Sequence, residues 1–202
     1  MSIERLLKAY ELEKQILPRK FWGKREQTCP ISAIKQAEKR LGLFFPPTYR
    51  YYLRHIHLNT LTPIFGVEVT SRGTFKDPSS VFATFDLRES EDLPETYVLI
   101  DRENDFQHVI NSSQVNDTGE SPVYAWRNGE EEVVYSDFDG FYLELVNVAI
   151  YLEMMRKASF TKEGLRKKEL DEYIDLHKSL GFTAKEQVSL QGNWDQLRSL
   201  AK

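Results

Sequence analysis

Apolar residues recur at Ile3, Leu6, Leu7 and Tyr10, with Leu17 beyond them, and Pro18 closes the pattern. That spacing predicts an amphipathic helix ended by a proline. A basic stretch follows in which Phe21 and Trp22 are expected to fold back on the core. The next helix starts near Pro30, sets Ile31, Ile34, Ala37 and Leu41 on one face, and meets its C-terminal cap at Gly42. Phe44, Phe45, Pro46 and Pro47 cannot prolong it, because proline lacks an amide hydrogen and pushes its predecessor out of the α region. Pro47 can open a new helix, however, with Tyr49, Tyr52, Leu53 and Ile56 inward and Arg50, Tyr51 and Arg54 outward. The stretch therefore reads as helix, corner, helix, with the aromatic rings packed beneath the corner.

From Leu61 the texture changes to short β-prone pieces. A strand is expected over 64–70, then a short helix capped by Ser79 or Ser80, carrying Val81, Phe82 and Phe85 and stopped at Leu93 and Pro94. Further strands are expected over 97–101, 107–111 and 123–126, with a turn at Asn116 to Gly119. Asn128-Gly129 signals a hairpin, because both residues tolerate positive φ, and 132–136 is its returning strand. An apolar helix over 138–155 follows, with Phe138, Phe141, Leu145, Val148 and Leu152 at helical steps. A charged helix from Phe160 to about Leu180, a stop at Gly181 and a last helix capped by Thr183 complete the chain. The expected organisation is an α+β domain over 1–158 and a two-helix extension over 159–202 that does not complete its core.

With 202 residues the chain is long enough to bury a sizeable core. It holds no apolar run of the ~20 residues that span a bilayer, and its charged start is unlike a signal peptide, so a cytoplasmic location is expected. Cys29 is the single cysteine, which excludes an intrachain disulfide and a thiolate metal cluster. His55 and His57 share a face only in a strand, and neither His108 nor His177 stands at a matching spacing, so no metal is expected. The phosphate-cradling glycine loop, the nucleophile elbow and the His-Glu-x-x-His helix are all absent from the sequence. The expectation is a protein that is not an enzyme and has no cofactor.

The net charge of −4 conceals a marked asymmetry. Residues 1–67 carry 12 Lys+Arg against 5 Asp+Glu, whereas residues 68–144 carry 5 against 18. Such a middle repels nucleic acid and attracts a basic partner. The candidate contact residues are Asp101, Glu103 and Asp105 on one turn, and Asp117, Glu120, Glu130, Glu131, Asp137 and Asp139 flanking others. Two readings stand side by side. These carboxylates are a solvated face that keeps the protein soluble, or they are presented where a basic cleft expects phosphates.

Glu38, Leu41-Gly42, Phe45-Pro46, Tyr49 and Tyr52-Leu53 resemble the opening helix pair of the SUKH superfamily, the group that contains the Smi/Knr-type cell-wall regulators. Leu93-Pro94 before a strand, Pro122-Val123 leading to Trp126, and Ser136-Asp137-Phe138 opening a helix that carries Phe141 resemble its later signatures. The resemblance spans about 30–152; where family members often carry Asn-Gly-Gly, this chain reads His55 to Thr60. It implies a mixed or antiparallel sheet with packed helices and a protein-binding role. Bacterial members are typically immunity proteins that neutralise a toxin, often a nuclease. On that analogy the partner is a basic toxin domain, with no nucleic acid and no membrane involved. A regulatory or scaffold module without a toxin is the alternative, and a metal- or carboxylate-dependent hydrolase stands third.

Overall fold

The computed structural model describes residues 2–17, 28–57, 64–67, 79–102, 106–160, 165–178 and 194–201. Helix α1 is Ser2–Ile16, α2 Ile31–Leu41, α3 Pro47–His55 and α4 Ser80–Glu91. Strands β1 (Tyr97–Arg102), β2 (Gln107–Asn111), β3 (Val123–Arg127) and β4 (Glu130–Tyr135) follow, then α5 (Phe138–Phe160) and α6 (Lys167–Lys178). Residues 194–200 are also helical. The expected side chains of Phe21 and Trp22, the stop at Gly181 and the cap at Thr183 lie outside the described residues.

Local chemistry accounts for most of the boundaries. Gly42 at φ +75° ends α2, and the N–H groups of Gly42 and Leu43 both donate to Glu38 O, at 2.9 and 3.1 Å. This is a left-handed helix stop that a side chain with a Cβ rarely adopts. Ser79 caps α4 through its Oγ, which accepts the Phe82 N–H. Asn128 and Gly129, at φ +49° and +87°, form the two-residue turn between β3 and β4, and both strands run up to it. The returning strand therefore begins at Glu130 rather than at 132. A primed turn matches the twist of the strands it joins, so pairing continues to the flanking residues.

The four strands form an antiparallel sheet in the order β1-β2-β3-β4. Val98, Leu99, Ile100, Val109 and Ile110 are all fully buried, so β1 and β2 are covered on both faces. On one face Tyr97, Leu99, Val109, Tyr124 and Trp126 pack with Leu87 and Leu93 from α4 and its exit. Thr84 lets that helix approach closely: its Oγ1 donates to Ser80 O and accepts the Leu99 N–H at 2.9 Å. The buried residues of α4 are Ser80, Val81, Thr84 and Leu87, while Phe82 and Phe85 are partly exposed. On the other face His108 and Tyr135 meet the ring of Phe141.

Three expectations about phase and pairing are corrected. The strand expected over 64–70 is not formed across 64–67. There the Phe65 carbonyl is taken by the hydroxyls of Tyr49 and Ser80, and the Gly66 carbonyl by the Ser80 N–H. Those acceptors are thus unavailable to a ladder; residues 68–70 lie outside the described residues. Ile31 is exposed, because the buried face of α2 begins at Ala33 and Ile34. In α5 Phe138 and Phe141 are buried as expected, together with Tyr142, Leu143, Val146, Ile150 and Met154, but Val148 and Leu152 are exposed. This helix is apolar on nearly every side, so several phases suited its sequence.

The chain divides into two compact units, one of Lys20–Tyr142 and one of Ile3–Arg19 with Leu143–Lys202. The first holds the sheet, α2, α3 and α4. In the second, Leu6, Ala9 and Leu12 of α1, Val146, Ile150 and Met154 of α5, and Leu170, Tyr173 and Ile174 of α6 are buried. Lys157 of α5 pairs with Glu169 of α6 at 2.7 Å. The position between 158 and 159 where the extension was expected to begin lies within α5.

Candidate functional site

The corner expected from Pro46 and Pro47 is built as a clamp of two carboxylates. Pro46 supplies no side-chain cap for α3. Glu120 supplies one from a distant turn: its carboxylate accepts the Thr48 N–H at 3.1 Å. Asn116 shapes that turn, with its Oδ1 accepting the N–H groups of Thr118 and Glu120. Gly119, at φ +80°, passes beside the Pro47 ring. Glu38 holds the other side of the corner, accepting the Phe45 N–H at 3.0 Å and pairing with Arg50. Beneath it Tyr49 is fully buried, with Phe45, Tyr52 and Phe138 at centroid distances of 5.1, 6.4 and 5.0 Å. Leu41, Leu53 and Phe141 are buried too. The residues that carry the family resemblance are therefore architecture.

Several of the acids singled out for a partner surface have structural roles as well. Asp101 is buried and its carboxylate meets His108 Nδ1 at 3.2 Å, with the His108 ring between Phe106 and Phe141. Asp139 and Glu120 are buried. Asp137 accepts the Gly140 N–H in the first turn of α5. The expectation of exposed carboxylates fails for Asp101, Glu120 and Asp139; for Asp101 and Glu120 a histidine and a backbone N–H meet the acid in the low-dielectric interior. Glu103 and Asp105 lie outside the described residues.

Three consecutive exposed acids stand on the β3–β4 hairpin, and others are spread over α4 and its exit. Glu130, Glu131 and Glu132 are exposed, and Asp117 is exposed on its own loop. The Asn128 N–H donates to Glu91 of α4, whose neighbours Glu89 and Asp92 are exposed. The Tyr97 hydroxyl donates to the Glu131 carboxylate. Burial, and then that bond and the charge on Glu131, push the Tyr97 phenol well above the ordinary tyrosine range. Tyr124 is raised as well, by burial first and then by Glu131. Val133 and Val134 are both exposed on β4. The sequence reading missed Glu132, Val133 and Val134 as surface, although three glutamates directly after an Asn-Gly turn were the available signal.

Among the described residues no group of three or more His, Cys, Asp or Glu stands close enough to hold a metal ion. Cys29 is buried and its N–H donates to Arg54 O. No helix among the described residues is long and apolar enough to cross a membrane.

An antiparallel four-stranded meander with α4 packed on one face, and a proline corner closed by two buried glutamates, define an α+β domain. A family model of the SUKH group, described as SMI1-KNR4 cell-wall, matches residues 3–147. The chain belongs to this SMI1-KNR4 family. No curated protein matches it.

Proposed function

We propose that the protein is a non-enzymatic immunity protein that binds and neutralises a toxin domain in the cytoplasm, the partner being basic and most readily a nuclease. Family membership supports a protein-binding role. The observation that carries the choice of partner is the clustering of Glu130, Glu131 and Glu132 on an exposed hairpin beside Glu91. Carboxylates held at one edge steer a basic protein toward that edge, and the effect appears chiefly as a fast, salt-sensitive on-rate.

The test is association with the toxin domain encoded beside this gene, followed at rising salt. Binding should be fast at low salt and slow as salt rises. Reversing Glu130 and Glu132 to lysine should slow it, while Glu172→Lys on α6 should not. No binding at low salt, or an on-rate indifferent to salt, would remove this reading. The family description names the cell wall, which favours a regulatory binding module as the second reading.

A further inference from the structure

β4 stands at the end of the sheet order, and no strand among the described residues pairs with its outer side. Its first five residues are exposed, so neither face is covered there. Arg127 and Glu130 flank the two-residue turn, and such a flanking pair is hydrogen-bonded. The alternation then makes Ala125 and Glu132 the next bonded pair. Glu131 and Val133 consequently turn their N–H and C=O groups to the open side. Glu130 and Glu132 point to one face, Glu131 and Val133 to the other.

From this edge we infer that the protein binds its partner by β-strand addition: an extended, lysine- or arginine-bearing segment of the partner pairs with β4 at Glu131 and Val133. The inference rests on the basic-partner reading above and supplies its mode of contact. Main-chain bonds give such a contact its register, and alternate side chains give it selectivity. Basic residues of the incoming strand would meet Glu130 and Glu132, and aliphatic ones would cover Val133. A second copy of this chain is a poor occupant, because it would bring two runs of glutamate to within a strand spacing of ~5 Å. The same charges that close the edge to itself leave it open to a basic strand. The edge is also held in place, through the Asn128 bond to Glu91 and the Tyr97 bond to Glu131, which reduces the ordering needed on binding.

The decisive variant is Val133→Pro. It removes an N–H that faces solvent, which an edge strand tolerates, and circular dichroism with thermal melting verifies the fold. Affinity for the neighbour-encoded toxin domain should fall at least about tenfold, whereas Val133→Thr, which keeps the N–H, should bind like the parent. In the parent complex, amide exchange should slow at Glu131 and Val133 and not at Asp117. A toxin domain that binds Val133→Pro at parental affinity, or leaves those two amides unprotected, overturns strand addition and leaves the immunity reading intact. A short peptide alternating lysine and valine provides the independent arm. If the toxin domain does not bind but this peptide protects Glu131 and Val133, strand addition stands and the immunity reading falls. If neither binds, both fall.

Discussion

The Glu120 carboxylate accepts the backbone N–H of Thr48 at 3.1 Å across 72 residues of sequence. α3 opens on two prolines, which pre-set its first turn but provide no capping oxygen. The first amides of a helix lack partners and carry partial positive charge. A buried carboxylate satisfies both, so a residue of the acidic middle is tied to the start of a helix in the basic N-terminal third.

Glu120→Ala should destabilise the protein by ~1–3 kcal/mol, the cost of leaving a buried donor without its acceptor. Asp117→Ala, three residues earlier on the exposed part of the same loop, should stay within ~0.5 kcal/mol. Chemical denaturation measures both. Equal midpoints for the two variants would show that Glu120 does not cap α3.

Tyr49 reaches further than packing requires. Its hydroxyl stands 2.7 Å from Ser80 Oγ, at the first residue of α4. Tyr49→Ala should cost ~3–5 kcal/mol as a buried aromatic truncation. Tyr49→Phe should cost ~1 kcal/mol, the net worth of a hydrogen bond. Tyr51, half-buried against His55 on the outer side of α3, should lose less than half as much as Tyr49 on truncation to alanine. Comparable losses at Tyr49 and Tyr51 would mean that the helix is phased otherwise.

Alkaline titration reads the Tyr97–Glu131 bond. A phenol whose pKa is raised by folding contributes stability that is complete below the unfolded value of ~10 and is lost as pH rises toward the folded value. Tyr97 and Tyr124 are both raised on the sheet face that packs on α4. Stability should therefore fall above pH ~10. Glu131→Gln should bring tyrosinate absorbance to lower pH, since it removes the carboxylate that holds the Tyr97 proton. An unchanged titration curve would leave burial rather than Glu131 as the cause of the shift.

The C-terminal segment tests the second unit. Leu165, Leu170, Tyr173, Ile174, Trp194 and Leu197 are buried. Burial and then the charge on Glu144 push the Tyr173 phenol up. A chain ending at Phe160 should expose the apolar surface these side chains cover, bind a hydrophobic dye and lose stability. A truncated protein that melts as cooperatively as the parent would favour an extension that does not complete the core.

Element order was legible because it is written in local chemistry. Pro30, Gly42, the Pro46-Pro47 corner, Ser79 and Asn128-Gly129 each act within a few residues, and each sits at the boundary it announces. The inward set of α3 was equally plain, because Tyr49, Tyr52, Leu53 and Ile56 alternate with charged neighbours. The phase of α5 was not, since a helix apolar on nearly every side offers periodicity little contrast. Nor could any local rule sort the acids, because a carboxylate reads the same in a loop whether solvent or a distant N–H awaits it. Strand pairing and tertiary packing divide them, taking Asp101 to His108, Glu120 to Thr48 and Glu38 to Arg50. Glu130–Glu132 are left in water because sheet order puts β4 at the edge, and sheet order is set by pairing between strands rather than by any one of them.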